Sequence, residues 1–162
     1  MTSDTSRPGP PPLEPFGLVL HHDGSWTHEG HPIRNRKLRQ AFDRGVCYAP
    51  AEQVFVVQLQ HFRGQIEVEE APFFVRMLDI ETGEIELSDR TRESLDVSSL
   101  VPSPRDGALL CRVKRDLLAD GILARFSHAA QAEFMNAVEF AETGLELRWK
   151  GRREVLPSAL VD

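Results

Sequence analysis

Three observations in this 162-residue sequence predict an α+β protein of two small domains. β-branched and aromatic runs are short and punctuated by turn signals, and only two stretches carry helical periodicity. The order of strands, helix, strands also occurs twice, which reads as a duplicated strand-helix-strand motif. With 41% hydrophobic residues, a chain of this length buries one substantial core or two small ones sharing an interface. The expected organisation is a lead over residues 1–15, an N-terminal α+β domain over 16–72 and a C-terminal α+β domain over 73–162.

The lead holds Pro8, Pro10, Pro11, Pro12 and Pro15. With many amide donors missing and little to bury, it is expected to be disordered or extended. Phe16 to Leu20, the turn signal Asp23-Gly24 and Ser25 to His28 then read as a hairpin anchored by Trp26. After Gly30-His31-Pro32, residues Arg34 to Arg44 place Leu38, Ala41 and Phe42 on one face, with Gly45 where a left-handed cap belongs. Gln53 to Gln60 and Gln65 to Glu69 are expected to be antiparallel strands about a turn at Arg63-Gly64, with Glu67 and Glu69 exposed.

In the second half, Phe73 to Ile80 and Glu84 to Leu87 flank the turn Glu81-Thr82-Gly83. Residues Arg90 to Arg105, polar and interrupted by Pro102 and Pro104, promise the least regular structure. Ala108 to Val113 and Gly121 to Arg125 read as strands. A second helix is expected from an N-cap at Ser127 to Gly144, with Ala130, Phe134, Ala137, Val138 and Ala141 on its apolar face. Leu145 to Trp149 and Glu154 to Leu156 form a closing hairpin about Lys150-Gly151.

Composition excludes several function classes. The net charge of −6 argues against bulk nucleic-acid binding, which needs a positive field, though a local basic pocket is compatible with it. There is no apolar run of roughly 18 residues and no basic-then-apolar start, so neither a membrane span nor a secretory signal is expected. Cys47 and Cys111 suit small core thiols in a reducing compartment, which points to the cytoplasm. Exposed edge strands make a homodimer an option.

The sequence lacks G-x-S-x-G, G-x-x-x-x-G-K-[ST] and G-x-G-x-x-G, the usual signatures of α/β hydrolases, P-loop NTPases and dinucleotide enzymes. His21, His22, His28 and His31, with Asp23 or Cys47 nearby, invite a zinc reading. Their spacing matches no standard metal pattern, however, and solvated histidines at hairpin ends explain them as well. The acidic run Glu67-Val-Glu-Glu70 is either a cleft carboxylate or a solvated strand edge. Arg34, Arg36, Lys37 and Arg39 form one basic cluster. Arg148-Trp149-Lys150-Gly151-Arg152-Arg153 forms another, whose interleaved aromatic suits base stacking or, pointing inward, a core.

Asp23-Gly24-Ser25-Trp26 with Gly30-His31-Pro32-Ile33 is similar to a D-G-x-W…G-x-P-I opening, and Ile66 to Phe73 to an I-x-V-E-D-A-P-F segment. Together with Leu123-Ala124-Arg125 before a helix, and the hairpin over Leu147 to Pro157, these resemble a bacterial family of proteins, domain of unknown function family 1285, from about Phe16 to Pro157. The resemblance implies a duplicated motif, a C-terminal part loosely like pleckstrin-homology domains, a ligand site along the interface between domains, and a signalling role with a nucleotide-like or nucleic-acid-like ligand. Two positions depart from the pattern: Leu59-Gln60-His61-Phe62 stands where the family shows T-P-x-E, and Glu70 where it favours Asp.

The sequence thus leads to a ligand-binding or signalling module without a cofactor, in which Trp26, Glu69, Glu70, Phe73, Arg125 and Trp149 surround an interdomain cleft. In that reading Arg125 holds a nucleotide-like or small anionic ligand, Glu69 or Glu70 accepts from sugar or base donors, and an aromatic stacks. A structural salt bridge uses the same charged residues equally well. Two other functions stay open, a metal-assisted hydrolase built on the four histidines and a protein-protein adaptor.

Overall fold

A computed structural model describes residues 14–60, 62–142 and 144–161 of the chain. They fall into two compact units, divided between Glu69 and Glu70. The architecture is mixed α+β, as expected, and most of the proline-rich lead lies outside the described residues.

The first unit comprises β1 (Glu14–Leu20), β2 (Trp26–His28), β3 (His31–Pro32), α1 (Arg36–Gly45), β4 (Val46–Ala49), β5 (Val54–Leu59) and β6 (Phe62–Val68). Its sheet has the order β3-β2-β1-β6-β5-β4, with β1 and β6 parallel at the centre and the other neighbours antiparallel. Leu18, Leu20, Trp26, Phe42, Val56, Val57 and Ile66 are buried in it. β1 begins at Glu14, inside the expected lead, because Glu14 and Pro15 already pair with Gly64 and Gln65.

Three local expectations are corrected here. Helix α1 starts at Arg36 behind the N-cap Asn35, whose Oδ1 accepts from Leu38 N at 3.0 Å, and it buries Phe42 while Leu38 stays 41% exposed. Gly45 is no left-handed cap; the helix runs directly into β4 through an extended Val46. A Cβ at Gly45 would stand 2.7 Å from the Gln58 carbonyl oxygen, so the glycine serves the close approach of β5. The β5–β6 hairpin closes at Leu59 and Phe62, which places Arg63 and Gly64 inside β6 opposite Gln58 and Val57. β6 is therefore an interior strand, and the edge reading of its acidic run does not hold.

The second unit contains β7 (Phe73–Leu78), β8 (Glu84–Leu87), β9 (Arg92–Ser94), a 3₁₀ turn (Val97–Ser99), β10 (Val101–Pro102), β11 (Leu109–Val113) and β12 (Ile122–Phe126). These strands form a sheet in the order β10-β11-β12-β7-β8-β9, again with a central parallel pair, β12 and β7. Then come α2 (His128–Asn136), β13 (Val138–Ala141), β14 (Gly144–Trp149), β15 (Arg152–Val155) and α3 (Ser158–Val161), with β13-β14-β15 as a second sheet.

Ser127 caps α2 as expected, but the helix stops eight residues short of Gly144. Val138 and Phe140, which favour strands, pair instead with Leu147 and Leu145, and the Ala137 carbonyl accepts from Arg148 N at 2.8 Å. Phe140 is left 94% exposed on β13. The segment expected to be irregular buries Leu95, Leu100 and Ser103 and supplies two edge strands.

Candidate functional site

The first unit gathers polar side chains where β1 leaves the sheet. Asp23 Oδ1 accepts from Ser25 N at 3.0 Å and Ser25 Oγ at 2.7 Å, while His21 N donates to the Ser25 carbonyl at 2.9 Å. Those Ser25 bonds hold the Asp23 carboxyl below its usual range. The Asp23-Gly24-Ser25 segment is thus a self-bonded turn that fixes His21 and His22 just before it.

Both imidazoles converge on Glu69, which follows β6. Its backbone N–H donates to the Leu20 carbonyl at 3.0 Å, its Oε2 lies 2.9 Å from His21 Nδ1, and its Oε1 bonds His22 Nδ1. His21 Nε2 is in turn 2.8 Å from Thr27 Oγ1. The bonds from His21 and then His22 pull the Glu69 carboxyl down to about 2. Glu69 is therefore no solvated strand residue, as the alternation had implied.

A carboxyl held below its unfolded value of 4.5 adds stability at pH values above that, and the contribution disappears as pH falls through about 2. Glu69→Gln is accordingly expected to destabilise the protein near neutral pH. The difference from wild type should shrink steadily between about pH 4.5 and pH 2 in urea titrations. A pH-independent difference would assign Glu69 a packing role alone.

His21, His22, Asp23, Ser25 and Thr27 line an open cavity of about 480 Å³ together with Trp26, Pro32, Ile33, Arg34 and Arg39. Arg39 Nε is buried and has no hydrogen-bond partner among the described residues. Among the described residues no ion pair engages Arg34, Arg36, Lys37 or Arg39, so this basic cluster keeps its charge unmatched. The sequence shows the cluster but not the turn of α1 that puts Arg39, rather than its neighbours, against the cavity wall.

The four histidines do not form one centre. His28 lies opposite His31 across β2 and β3 and lines a different cavity from His21 and His22. Among the described residues no three His, Cys, Asp or Glu side chains are placed to hold a metal ion. Neither Cys47 nor Cys111 is joined in a disulfide, and burial pushes the Cys111 thiol up to about 12.

The other residues singled out from the sequence divide by environment. Trp26 is 1% exposed, packs on Phe42 with centroids 5.4 Å apart, and donates from Nε1 to Asp43 Oδ1 at 2.8 Å. In the second unit Phe73 is buried beneath the Lys114 ammonium, 4.8 Å from its ring centroid, and Trp149 is 2% exposed. The stacking platform expected around Trp149 is therefore absent: the ring points inward. Arg148 and Arg153 meanwhile pair with Glu139, and Arg153 also with Glu146.

Glu70 and Arg125 are brought together. Arg125 Nη1 lies 3.0 Å from Glu70 Oε1 and 3.1 Å from Asp106 Oδ1, Nη2 pairs with Asp106 Oδ2, and Ser103 Oγ donates to Glu70 Oε2 at 2.6 Å. Bonds to Asp106 above all raise the Arg125 pKa. Asp106 and Ser103 escaped the sequence reading because the Ser103-Pro-Arg-Asp-Gly107 stretch looks like an ordinary turn.

No protein-family model matches the sequence, and comparison with curated proteins finds no match. Two solved structures do resemble it. A DUF1285 family protein from Silicibacter pomeroyi DSS-3 superposes with a TM-score of 0.61 at 16% identity, covering 91% of this chain and 84% of the other. The chain has the fold of the DUF1285 family. A second DUF1285 family protein, from Shewanella baltica OS155, gives a TM-score of 0.50 at 14% identity over 74% of this chain and 91% of that one. In this chain Asp23 to Trp26 lies in the turn after His21 and His22, and Ile66 to Phe73 runs from β6 into β7. Among the described residues no helix is long and apolar enough to cross a membrane.

Proposed function

We propose that this chain is a ligand-binding module that takes a small anion, a phosphate or carboxylate group, in the first unit's cavity. The observation that carries the reading is Arg39: a buried guanidinium N–H without an acceptor costs about 1–3 kcal/mol, and an oxyanion in the cavity would supply that acceptor with a charge-assisted bond. Arg34, which has no ion pair among the described residues, adds a second cation to the lining. Asp23 opposes an anion, which favours ligands whose charge is held at the arginine side. Arg125, by contrast, already has two carboxylate partners and little remaining call for an anion.

A nucleotide-like ligand is one source of such a group, and a cytoplasmic signalling role fits a binding module whose two cysteines stay thiols. A helix followed by three strands in each unit supports reading the chain as a duplicated motif.

Thermal unfolding in phosphate against chloride at equal ionic strength tests the reading. Phosphate is expected to raise the wild-type Tm, by about 2.7 kcal/mol of stabilisation at a hundred times Kd, and to leave Arg39→Gln unprotected. Equal protection of both proteins would overturn it.

A further inference from the structure

A second concavity adjoins the arginine-lined one in the same unit. Leu18, His28, Ile33, Leu38, Phe42 and Phe62 line an open concavity of about 210 Å³, and Ile33 lines both cavities. His28 alone in that wall carries polar side-chain atoms. Ile33 is fixed between the two by its N–H, which donates to the Trp26 carbonyl at 2.9 Å. On α1, successive residues serve one cavity each: Leu38 lines the apolar one and Arg39 the cationic one.

Leu38 sharpens the point. It is 41% exposed on a helical stretch otherwise occupied by Arg36, Lys37 and Arg39, a position where solvent alone would be better served by a polar side chain. A cavity of roughly 150 Å³ lined by Leu, Ile and Phe holds a benzene ring, so the space here suits an aryl or short branched apolar group.

We infer that the ligand of the first unit is an organic anion with a compact apolar body, its charged group at Arg39 and its apolar part across Ile33 against Leu38 and Phe62. This rests on the anion-binding reading above. It excludes inorganic anions as the preferred ligand, because they fill only the cationic cavity. Burial of apolar surface at roughly 25 cal/mol per Å² makes even partial enclosure of a ring a sizeable gain over the anion alone.

Calorimetric titration of the full chain with phenyl phosphate, inorganic phosphate and phenol at equal ionic strength tests it. Phenyl phosphate should bind at least about tenfold more tightly than inorganic phosphate, with phenol undetectable over the same range. Leu38→Gln, a helix-compatible change at a half-exposed position, should cut the phenyl advantage at least about threefold and leave inorganic phosphate binding unchanged. Arg39→Gln should abolish both. If phenyl phosphate binds no more tightly than inorganic phosphate while both depend on Arg39, the apolar subsite is refuted and the anion site stands. If no phosphate binds, both readings fall.

Discussion

Trp149→Ala is expected to lower the unfolding free energy by about 3–5 kcal/mol, the usual cost of deleting a large aromatic from a packed core. The ring is 2% exposed and lies against the β7–β8 turn, where Gly83 has φ +76° and a Cβ would stand 3.1 Å from Trp149 Cζ2. Lys150 N donates to the Ile80 carbonyl at 2.9 Å beside it, so β14 meets this turn through both backbone and side chain. The truncation would leave a cavity that neither the paired strand β14 nor the glycine turn can collapse to fill. Urea titration followed by far-ultraviolet circular dichroism measures it without relying on the lost indole. A loss below about 1 kcal/mol would return Trp149 to the list of surface platform candidates.

Arg125→Ala is expected to cost about 3–5 kcal/mol, through the charge it leaves behind rather than the one it removes. The Arg125 and Glu70 side chains are 9% and 7% exposed, so without the guanidinium Glu70 is left, among the described residues, with the Ser103 hydroxyl and a 3.7 Å approach of Arg105 Nε. Asp106, 41% exposed, is solvated and adds less to the cost. Arg125→Met combined with Glu70→Leu should recover most of the stability, because replacing both members of a buried pair with apolar side chains of similar volume is often neutral. Phosphate should protect Arg125→Ala as fully as wild type. Selective loss of that protection, with stability unchanged, would place the anion at Arg125 instead of Arg39.

The two variants separate functions that the sequence could not. Arg39 and Arg125 look alike on paper, each an arginine in an amphipathic or alternating run. What distinguishes them is which carboxylates the fold brings near. Asp106, distant in sequence and carried on a loop, neutralises Arg125, whereas no ion pair reaches Arg39 among the described residues.

By itself the sequence determined the α+β class, most strands of both units, the Ser127 cap and the closing hairpin about Lys150-Gly151. These depend on neighbours a few residues apart, through side-chain alternation, turn chemistry and capping. Tertiary structure decided the rest. α2 gives way to β13 because Val138 and Phe140 find partners in β14, and no local pattern could favour that over another helical turn. Gly45 is set by the passing Gln58 carbonyl, not by helix termination. Glu69 became a histidine acceptor because β1 and β6 run parallel, which joins the Leu20–His21 end of one strand to the Val68–Glu69 end of the other across a separation of 48 residues. Burial and charge balance at each candidate residue follow from contacts distant along the chain, and those contacts exist only once the sheets have formed.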